Sequence, residues 1–276
     1  MTFSDLRFEF GDNWSKFLQS INEVRIGLAE DSLRALVGKE RLDSLTFIDV
    51  GSGSGLSSLA ARRLGATVLS FDFDHASVAC TSALRARYFP NDAGWSVAQG
   101  SILDRDYLRT LGTFDVVYSW GVLHHTGHMW DALENIRMLV SPGGKLIVAI
   151  YNDQGRASRV WTLIKRWYNL LPPRLRFLVL WPALVHLWGP ATLRDIVLLR
   201  PFATWRNYHV TRGMSPWRDV LDWVGGYPFE VATPEQVFDF YKHEGLNLER
   251  LTTRGGGHGC NEFVFAEVSG MSPPER

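Results

Sequence analysis

Two adjacent histidines, His124 and His125, follow a β-rich run over residues 114–119, a position that suits acid–base chemistry. An imidazole has a pKa near ~6.5, so it accepts a proton from a hydroxyl group at neutral pH and makes the oxygen a nucleophile. The same pair is also suited to capping or supporting the helix expected over residues 129–140. Both histidines are therefore candidate catalytic residues, and the sequence does not choose between them.

A glycine-rich loop, Gly-Ser-Gly-Ser-Gly at residues 51–55, lies between a short β-rich run and a helical run. Glycines at such a turn let the backbone bend sharply and approach a ligand without a Cβ in the way. The dinucleotide fingerprint is absent because Leu56 stands at its sixth position, and no Gly-Lys-Ser/Thr follows to make a P-loop. The loop alone is as consistent with a tight turn as with a ligand cradle.

Asp72 stands 17 residues after the last glycine of this loop, at the carboxyl end of the second β-rich run. Because parallel strands place their carboxyl ends at one sheet edge, we expect Asp72 beside the loop. A carboxylate there can accept both hydroxyls of a ribose. The alternative is a solvated strand end without a ligand.

These residues need a scaffold, and the chain alternates short β-rich runs with helical periodicity up to residue 151. The alternation predicts right-handed crossovers and a parallel, doubly wound α/β sheet. A later helix begins with capping-box spacing at Thr233 and Gln236, and two further strands are expected to close the sheet with an antiparallel strand. The predicted strands cover residues 45–50, 67–72, 95–99, 114–119, 145–151, 246–252 and 261–268, and the predicted helices cover 59–64, 75–88, 129–140 and 234–244.

Five segments within this pattern stand in a distinctive order: Phe47–Gly55, Asp72, Gly100–Asp104, Phe114–His125 and Leu139–Leu146. In order and spacing they resemble the successive motifs of the class I S-adenosylmethionine-dependent methyltransferases. The closing helix and hairpin are similar to that family's seven-stranded, Rossmann-like sheet with its reversed last strand. The resemblance implies an enzyme that binds S-adenosylmethionine and transfers its methyl group.

The resemblance also implies roles for the matching positions. Asp72 holds the ribose, and Phe73 lies beside the adenine. Many relatives have an acid where Ser101 stands, so the contact to the adenine amine is expected to shift to Asp104 or to the backbone. The remaining cofactor positions are Asp49, Gly51, Ser52, Gly53 and Gly55 for the methionine portion, Ser101 and Ile102 for the adenine ring, and Ser119 and Trp120 for the methyl-transfer cleft.

The acceptor side carries fewer signals. The quinone-pathway O-methyltransferases are similar around His124 and His125 but carry Glu-x-x-Glu-His, whose acids this chain lacks, so no metal is expected. The two cysteines are too few for the usual three-thiolate cage of an arsenite site. Candidate substrate contacts are Tyr151, His258 and Asn261. The last two lie in a glycine-rich hairpin, for which the alternative is a flexible loop with polar filler.

Charge and tryptophan concentrate in one segment. Residues 155–218 hold 11 basic residues against the single acid Asp195, and six of the 11 tryptophans, although the whole chain has zero formal charge. Three interpretations stay open: contact with an anionic membrane, binding of a phosphorylated, carboxylated or sugar substrate, and a lid whose tryptophans form a core and whose arginines pair with acids elsewhere. Nucleic acid is not expected as a partner.

The predicted organisation is therefore a methyltransferase core with an inserted lid. The start of the chain has acids and no apolar signal region, and the most apolar run, residues 177–188, is too short to span a bilayer, so a cytoplasmic protein that touches the inner membrane face at most is expected. The acceptor atom is expected to be an oxygen on a small molecule, sugar or lipid-linked glycan; the alternatives are a tRNA- or nucleotide-modifying enzyme and a non-catalytic cofactor-binding partner. The predicted parts are an amphipathic helical lead-in (1–44), a cofactor-binding core (45–153), a helical Trp/Arg-rich lid (154–218), a closing helix and hairpin (219–268) and a tail (269–276).

Overall fold

The computed structural model describes residues 18, 21–212, 216–255 and 259–267, and their strands form one seven-stranded sheet. The strands are β1 (Thr46–Val50), β2 (Thr67–Asp72), β3 (Trp95–Gln99), β4 (Phe114–Trp120), β5 (Val140–Tyr151), β6 (Leu246–Thr252) and β7 (Cys260–Glu267). Their order is β3-β2-β1-β4-β5-β7-β6. Strand β7 is antiparallel to both of its neighbours, β5 and β6, and is the one strand that runs opposite to the other six described strands. The predicted doubly wound, mostly parallel sheet with a reversed last strand is confirmed.

Helices connect these strands and cover both faces of the sheet. They are α1 (Glu23–Val37), α2 (Leu56–Arg63), α3 (His75–Tyr88), α4 (Arg105–Leu111), α5 (Met129–Arg137), α6 (Arg156–Leu170), α7 (Phe177–Val197), α8 (Ala203–Arg212), α9 (Pro216–Gly225) and α10 (Pro234–His243). The sequence did not predict α4. The turn predicted over residues 141–144 lies inside β5, at the irregularity where the pairing with β4 passes from Val140 to Lys145. The Thr233 capping box of α10 forms as predicted.

Two apolar cores lie on opposite faces of the sheet, and successive residues of one strand contribute to each. On β1, Ile48 packs into one core and Phe47 into the other. On β5, Leu146 and Val148 belong to the first core and Ile147 to the second. Central parallel strands buried on both faces read as continuous apolar runs, which is why the sequence located them well.

The lead-in helix α1 buries a different face from the predicted one. The apolar periodicity placed Val24 and Leu28 on the inner face, but 71% and 64% of their surfaces are exposed. Ile26 and Leu33 are buried instead, in the core that also holds Leu59 of α2. The predicted pattern began at Trp14, in a part of the chain that lies outside the described residues.

Helices α6 to α9 stand between β5 and α10 and form a third apolar cluster, which we call the lid core; Trp161, Trp188 and Phe229 are among its members. The prolines suggested short helices, but α7 is one helix of 21 residues with Pro182 and Pro190 inside it. Both prolines are exposed, so the carbonyls that lose a helical partner reach water.

The predicted boundary at residue 218 falls inside α9. No helix of the described chain has the length and apolarity to span a bilayer.

The lid core makes a prediction about stability. Trp188 is buried, and its ring lies 4.7 Å from those of Trp205 and Tyr208, so Trp188→Ala should destabilise the lid by about 3–5 kcal/mol. Hydrogen exchange should then accelerate in α6 to α9 first. Trp167→Ala is the matched control, because 60% of that side chain is exposed and its loss should leave exchange unchanged. Equal effects of the two variants would contradict a lid core held by Trp188.

Candidate active site

The loops after β1 and β4 meet in one crevice, because the strand order reverses between these neighbouring strands. Gly51 has φ of 78°, and a Cβ there would overlap the side chain of Val122, which follows β4. The N–H groups of Gly51 and Ser52 both donate to the carbonyl of Phe71, at 2.9 and 3.2 Å. The glycine loop is therefore fastened to β2 while its glycines let it lie directly against the β4 loop.

Asp72 faces this loop from the end of β2, as the sequence predicts. One carboxylate oxygen accepts from Gly53 N–H at 2.9 Å, and the other accepts from Asp74 N–H at 2.9 Å. A carboxylate can accept about four hydrogen bonds, so these two fix its orientation at the sheet edge. The crevice thus has an oriented acceptor group beside a backbone that a ligand can approach closely.

Asp49 lies at the inner end of a buried hydrogen-bond chain. Trp95 Nε1 donates to Ser70 Oγ at 2.9 Å, Ser70 Oγ donates to Ser58 Oγ at 2.7 Å, and Ser58 Oγ donates to Asp49 Oδ2 at 2.5 Å. Burial raises the pKa of Asp49 to about 7, and the nearby charge of Asp72 also raises it, whereas the Ser58 hydrogen bond lowers it. An anionic Asp49 is therefore costly unless a cation approaches it.

The residues expected around an adenine ring lie at the ends of β2 and β3. Phe73 is exposed, and Ile102 is buried with its carbonyl accepting from Asn135 Nδ2 at 2.9 Å. Ser101 Oγ accepts from Leu103 N–H at 3.2 Å. Asp104 caps α4 by accepting from the N–H of Tyr107, so this carboxylate already has a structural role.

At the end of β4, Ser119 and Trp120 form the floor of the crevice. Ser119 is buried and donates its hydroxyl to the carbonyl of Val50 at 2.9 Å. Trp120 stacks on Tyr118 with a ring separation of 5.8 Å and an angle of 11°. The Ser119 hydrogen bond ties the ends of β1 and β4 together. The roles of Ser119 and Trp120 toward a cofactor stay predictions.

The histidine pair lies in a short 3₁₀ turn over Leu123–His125, and the two rings have different hydrogen-bond roles. His124 is fully buried, and its Nδ1 accepts from Tyr151 N–H at 3.3 Å, so in the neutral ring Nε2 carries the proton. His125 is 7% exposed and its Nδ1 lies 2.7 Å from the carbonyl of Pro228, which requires the proton on Nδ1. The acceptor nitrogen of neutral His125 is therefore Nε2.

Burial also changes the protonation of the His124 ring relative to an imidazole in water. Desolvation lowers the pKa of His124 well below its ordinary value, and the charges of His125 and Lys165 lower it further. His124 is thus neutral at physiological pH, and its Nε2–H has no hydrogen-bond partner among the described residues. This ring can donate a hydrogen bond but does not serve as a base at that nitrogen.

Aromatic side chains of β5 and the lid cover the histidine pair. The ring of Tyr151, one of the predicted substrate contacts, lies 3.9 Å from His124, 5.5 Å from Trp223 and 5.3 Å from Phe229. We call the group formed by these rings and the two histidines the aromatic chamber. It lies beyond the carboxyl ends of β4 and β5, on the side of the crevice away from Asp72.

Lys165 of α6 is a buried cation at this chamber that the sequence did not single out. It donates to the carbonyl of Trp223, and its Nζ lies 4.3 and 4.6 Å from the ring centres of Trp223 and Phe229. Burial lowers its pKa to about 7, against the opposing charge of Asp222. Its helical spacing from Trp161 and Tyr168, both buried, could have identified the face on which it lies.

The last hairpin contributes an amide network. Asn261 Nδ2 donates to Asn152 Oδ1 at 3.0 Å, and its Oδ1 accepts from Arg254 N–H at 3.0 Å. These contacts fasten the hairpin to the end of β5, so the observed role of Asn261 is structural. His258, the other predicted substrate contact in this hairpin, lies outside the described residues. Within the described ranges, no group of three or more His, Cys, Asp or Glu side chains is placed to hold a metal ion.

This chain is similar to known methyltransferases. Residues 48–146 match the model of a methyltransferase domain. The chain is 29% identical over 179 residues to a ubiquinone biosynthesis O-methyltransferase of Maricaulis maris, a match that covers 62% of this chain and 68% of that protein. It is 33% identical to a tRNA U34 carboxymethyltransferase of Methylococcus capsulatus, but over 46% of this chain and 41% of that protein.

The fold is also that of a solved enzyme. Magnesium protoporphyrin IX methyltransferase from Synechocystis PCC 6803, determined with bound S-adenosylhomocysteine, has a TM-score of 0.52 and 15% identity, over 90% of this chain and 88% of that one. The matched domain contains the glycine loop, Asp72 and the histidine pair, on the sheet order described above. The chain therefore contains a methyltransferase domain with the class I S-adenosylmethionine-dependent methyltransferase fold, and its cofactor is S-adenosylmethionine.

Proposed function

We propose that this enzyme methylates a hydroxyl oxygen on a small aromatic or otherwise apolar acceptor. The aromatic chamber carries the proposal, because the ring of Tyr151 packs against both histidines and the rings of Trp223 and Phe229 pack against Tyr151, where the acceptor would approach. Apolar walls with few polar groups suit a ring or hydrocarbon better than a bare sugar or a nucleic acid. The resemblance to an O-methyltransferase of ubiquinone biosynthesis supports the same class. A lipid-linked acceptor fits if it presents an apolar ring with a hydroxyl.

The residues of the crevice fit the cofactor. S-adenosylmethionine supplies a methyl group already activated on a sulfonium, so the protein has to position the groups and exclude water. The carboxylate of Asp72 would accept the ribose hydroxyls, and the glycine loop would admit the methionine portion. Asp49, buried and short of a cation, would offset the positive charge of the cofactor.

His125 is the better candidate for the general base. Its Nδ1–H is held by the carbonyl of Pro228, which leaves Nε2 as the proton-accepting nitrogen, and the ring retains some exposure. His124 is neutral with its proton on Nε2, so it would donate a hydrogen bond to the acceptor oxygen or hold Tyr151 in place. His125 Nε2 would take the hydroxyl proton as the oxygen attacks the methyl carbon; the methyl–sulfur bond would break as the oxygen–methyl bond forms, and S-adenosylhomocysteine would leave.

The acceptor class has a direct experiment. Incubation with methyl-labelled S-adenosylmethionine and a panel of phenols, hydroquinones, reducing sugars and nucleotides should place label on the phenolic or hydroquinone oxygens. Labelled methyl ethers identified by mass spectrometry would support the proposal. Label on sugars or nucleotides alone would overturn it.

The proposed base gives a kinetic prediction. His125→Gln should lower kcat for a phenolic acceptor by about 10²–10⁴-fold, because Gln accepts no proton, while affinity for S-adenosylmethionine stays unchanged. His128→Gln is the matched control, since this nearby histidine is exposed. Unaltered turnover in His125→Gln would exclude His125 as the base.

The ribose assignment gives a binding prediction. Asp72→Ala should weaken S-adenosylhomocysteine binding by about 5- to 150-fold, the equivalent of losing about 1–3 kcal/mol of charge-assisted hydrogen bonds. Calorimetry measures this directly. Asp106→Ala, which removes an exposed carboxylate on α4, should bind as the wild type does. Wild-type affinity in Asp72→Ala would remove Asp72 from the site.

Asp49 gives a prediction in which stability and affinity move in opposite directions. Its folded pKa of about 7 lies above the unfolded value of ~3.9, so the protein without cofactor loses stability as pH rises from about 4 to 7. Asp49→Asn removes this penalty and should be more stable than wild type at pH 8. The expected gain is at least about 1.4 kcal/mol, and it should shrink toward zero near pH 4, where the folded carboxyl is protonated and about half of the unfolded carboxyls are.

The same variant should bind S-adenosylmethionine about tenfold or more weakly at pH 8, because a neutral amide offsets no charge. Wild-type affinity should rise with pH through about 7 as the carboxylate ionises. Thermal melts and calorimetry at pH 4 to 8 provide both readings. A variant that is less stable at pH 8 and binds normally would contradict the role given to Asp49.

A further inference from the structure

The outer surface of the lid is unusually apolar for an exposed surface. On α6 the side chains at Val160, Leu163, Trp167 and Leu170 are between 43% and 60% exposed, at spacings that place them on one stripe of the helix. On the first half of α7, Phe177, Leu178, Trp181 and Val185 are between 50% and 65% exposed. We call these two stripes the outer lid face.

The outer lid face is separate from the lid core. On α6, Trp161, Lys165 and Tyr168 point to the buried side, and on α7, Leu180 and Leu184 do so. Both helices are thus apolar on two sides, although packing within the lid needs only one. Contiguous exposed apolar surface of this kind marks an interaction site.

Positive charge surrounds the same face. The exposed basic residues on α6, on the turn after it and near α8 are Arg156, Arg159, Arg166, Arg174, Arg200 and Arg206. The only acidic residue between 155 and 218 is Asp195, whose buried carboxylate accepts from Thr204 N–H and Thr204 Oγ1. Within the lid, the Asp195 carboxylate also pairs with Arg194, so this acid is already engaged.

We infer that the outer lid face docks on the surface of an anionic lipid bilayer. Tryptophan favours the headgroup depth, aliphatic side chains favour the layer beneath it, and arginine reaches the phosphates, so one helical face carries all three parts of an interfacial site. A second copy of the chain would bring two surfaces of the same positive charge together. A nucleic acid would match the arginines but leave the leucine and valine stripes without a partner.

This inference is independent of the proposed acceptor. The buried side of α6 carries Lys165 into the aromatic chamber, so the same helix lies between the docking face and the reaction site. A bilayer at the outer lid face would place membrane-dissolved compounds near this lid. Binding to vesicles and methyl transfer are measured separately, so either result can fail without the other.

The test uses flotation of the purified full-length protein with vesicles of phosphatidylglycerol and phosphatidylcholine in equal parts, and with phosphatidylcholine alone. We expect binding to the anionic vesicles that falls steeply with added salt. Arg159→Glu, Arg174→Glu and Arg200→Glu combined should lower the partition coefficient at least about 100-fold, since each basic residue contributes about fivefold. Trp167→Ala with Trp181→Ala should lower it at least about tenfold.

Two controls separate docking from general charge and from unfolding. Arg41→Glu, Arg87→Glu and Arg109→Glu combined make the same charge change on the body and should retain binding. Circular dichroism and affinity for S-adenosylhomocysteine should be unchanged in every variant, because all the altered side chains are exposed or partly exposed. Absence of binding to anionic vesicles at low salt, equal loss in both arginine sets, or a dimer in solution that Trp167→Ala with Trp181→Ala dissociates would each overturn the inference.

Discussion

The reversal of strand order between β1 and β4 is the constraint on which the site depends. Because the crossovers leave these two strands in opposite directions, no helix of the described chain covers the gap between their carboxyl ends. The glycine loop and the β4 loop enter that gap from either side, and Gly51 lies against Val122 with no space for a Cβ. A cofactor crevice follows from the topology, and the glycines allow it to form at this close approach.

Two buried groups of opposite charge flank the crevice, and both have a pKa near 7. Asp49 lies on the side proposed for the cofactor, where burial raises its pKa, and Lys165 lies on the side proposed for the acceptor, where burial lowers its pKa. Groups shifted in this way lower the stability of a folded chain, and they cluster at sites where a ligand or reaction uses them. The Trp95–Ser70–Ser58 chain shows how the sheet and α2 hold one of them in a fixed orientation.

The central sheet was predictable from the sequence because its features are local or periodic. Strands buried on both faces appear in the sequence as apolar runs. The glycine loop and Asp72 follow the carboxyl ends of two strands, and these ends lie at the same edge of a parallel sheet. The aromatic chamber was not predictable in this way, because Lys165, Trp223 and Phe229 reach Tyr151 through tertiary packing of the lid. Likewise, Pro182 and Pro190 suggested breaks in α7, but both lie on its exposed side, where water replaces the lost hydrogen bonds.

The histidine pair shows what geometry adds to composition. From sequence the two residues are equivalent, whereas the carbonyl of Pro228 and the N–H of Tyr151 assign them opposite tautomers. Neither partner is near the pair in sequence, and the segment around Pro228 reaches it only because α9 returns the chain to the sheet. The lid therefore determines the chemistry of the pair as well as covering it.

The central claim is that the crevice between β1 and β4 binds the cofactor, with the lid on its acceptor side. Hydrogen–deuterium exchange, compared with and without saturating S-adenosylhomocysteine, tests it without knowledge of the acceptor. The account predicts slower exchange at the amides of residues 51–55, 72–74 and 100–104, with α8 and the hairpin strand β6 unaffected. Unchanged exchange in the glycine loop, together with protection elsewhere in the chain, would contradict it.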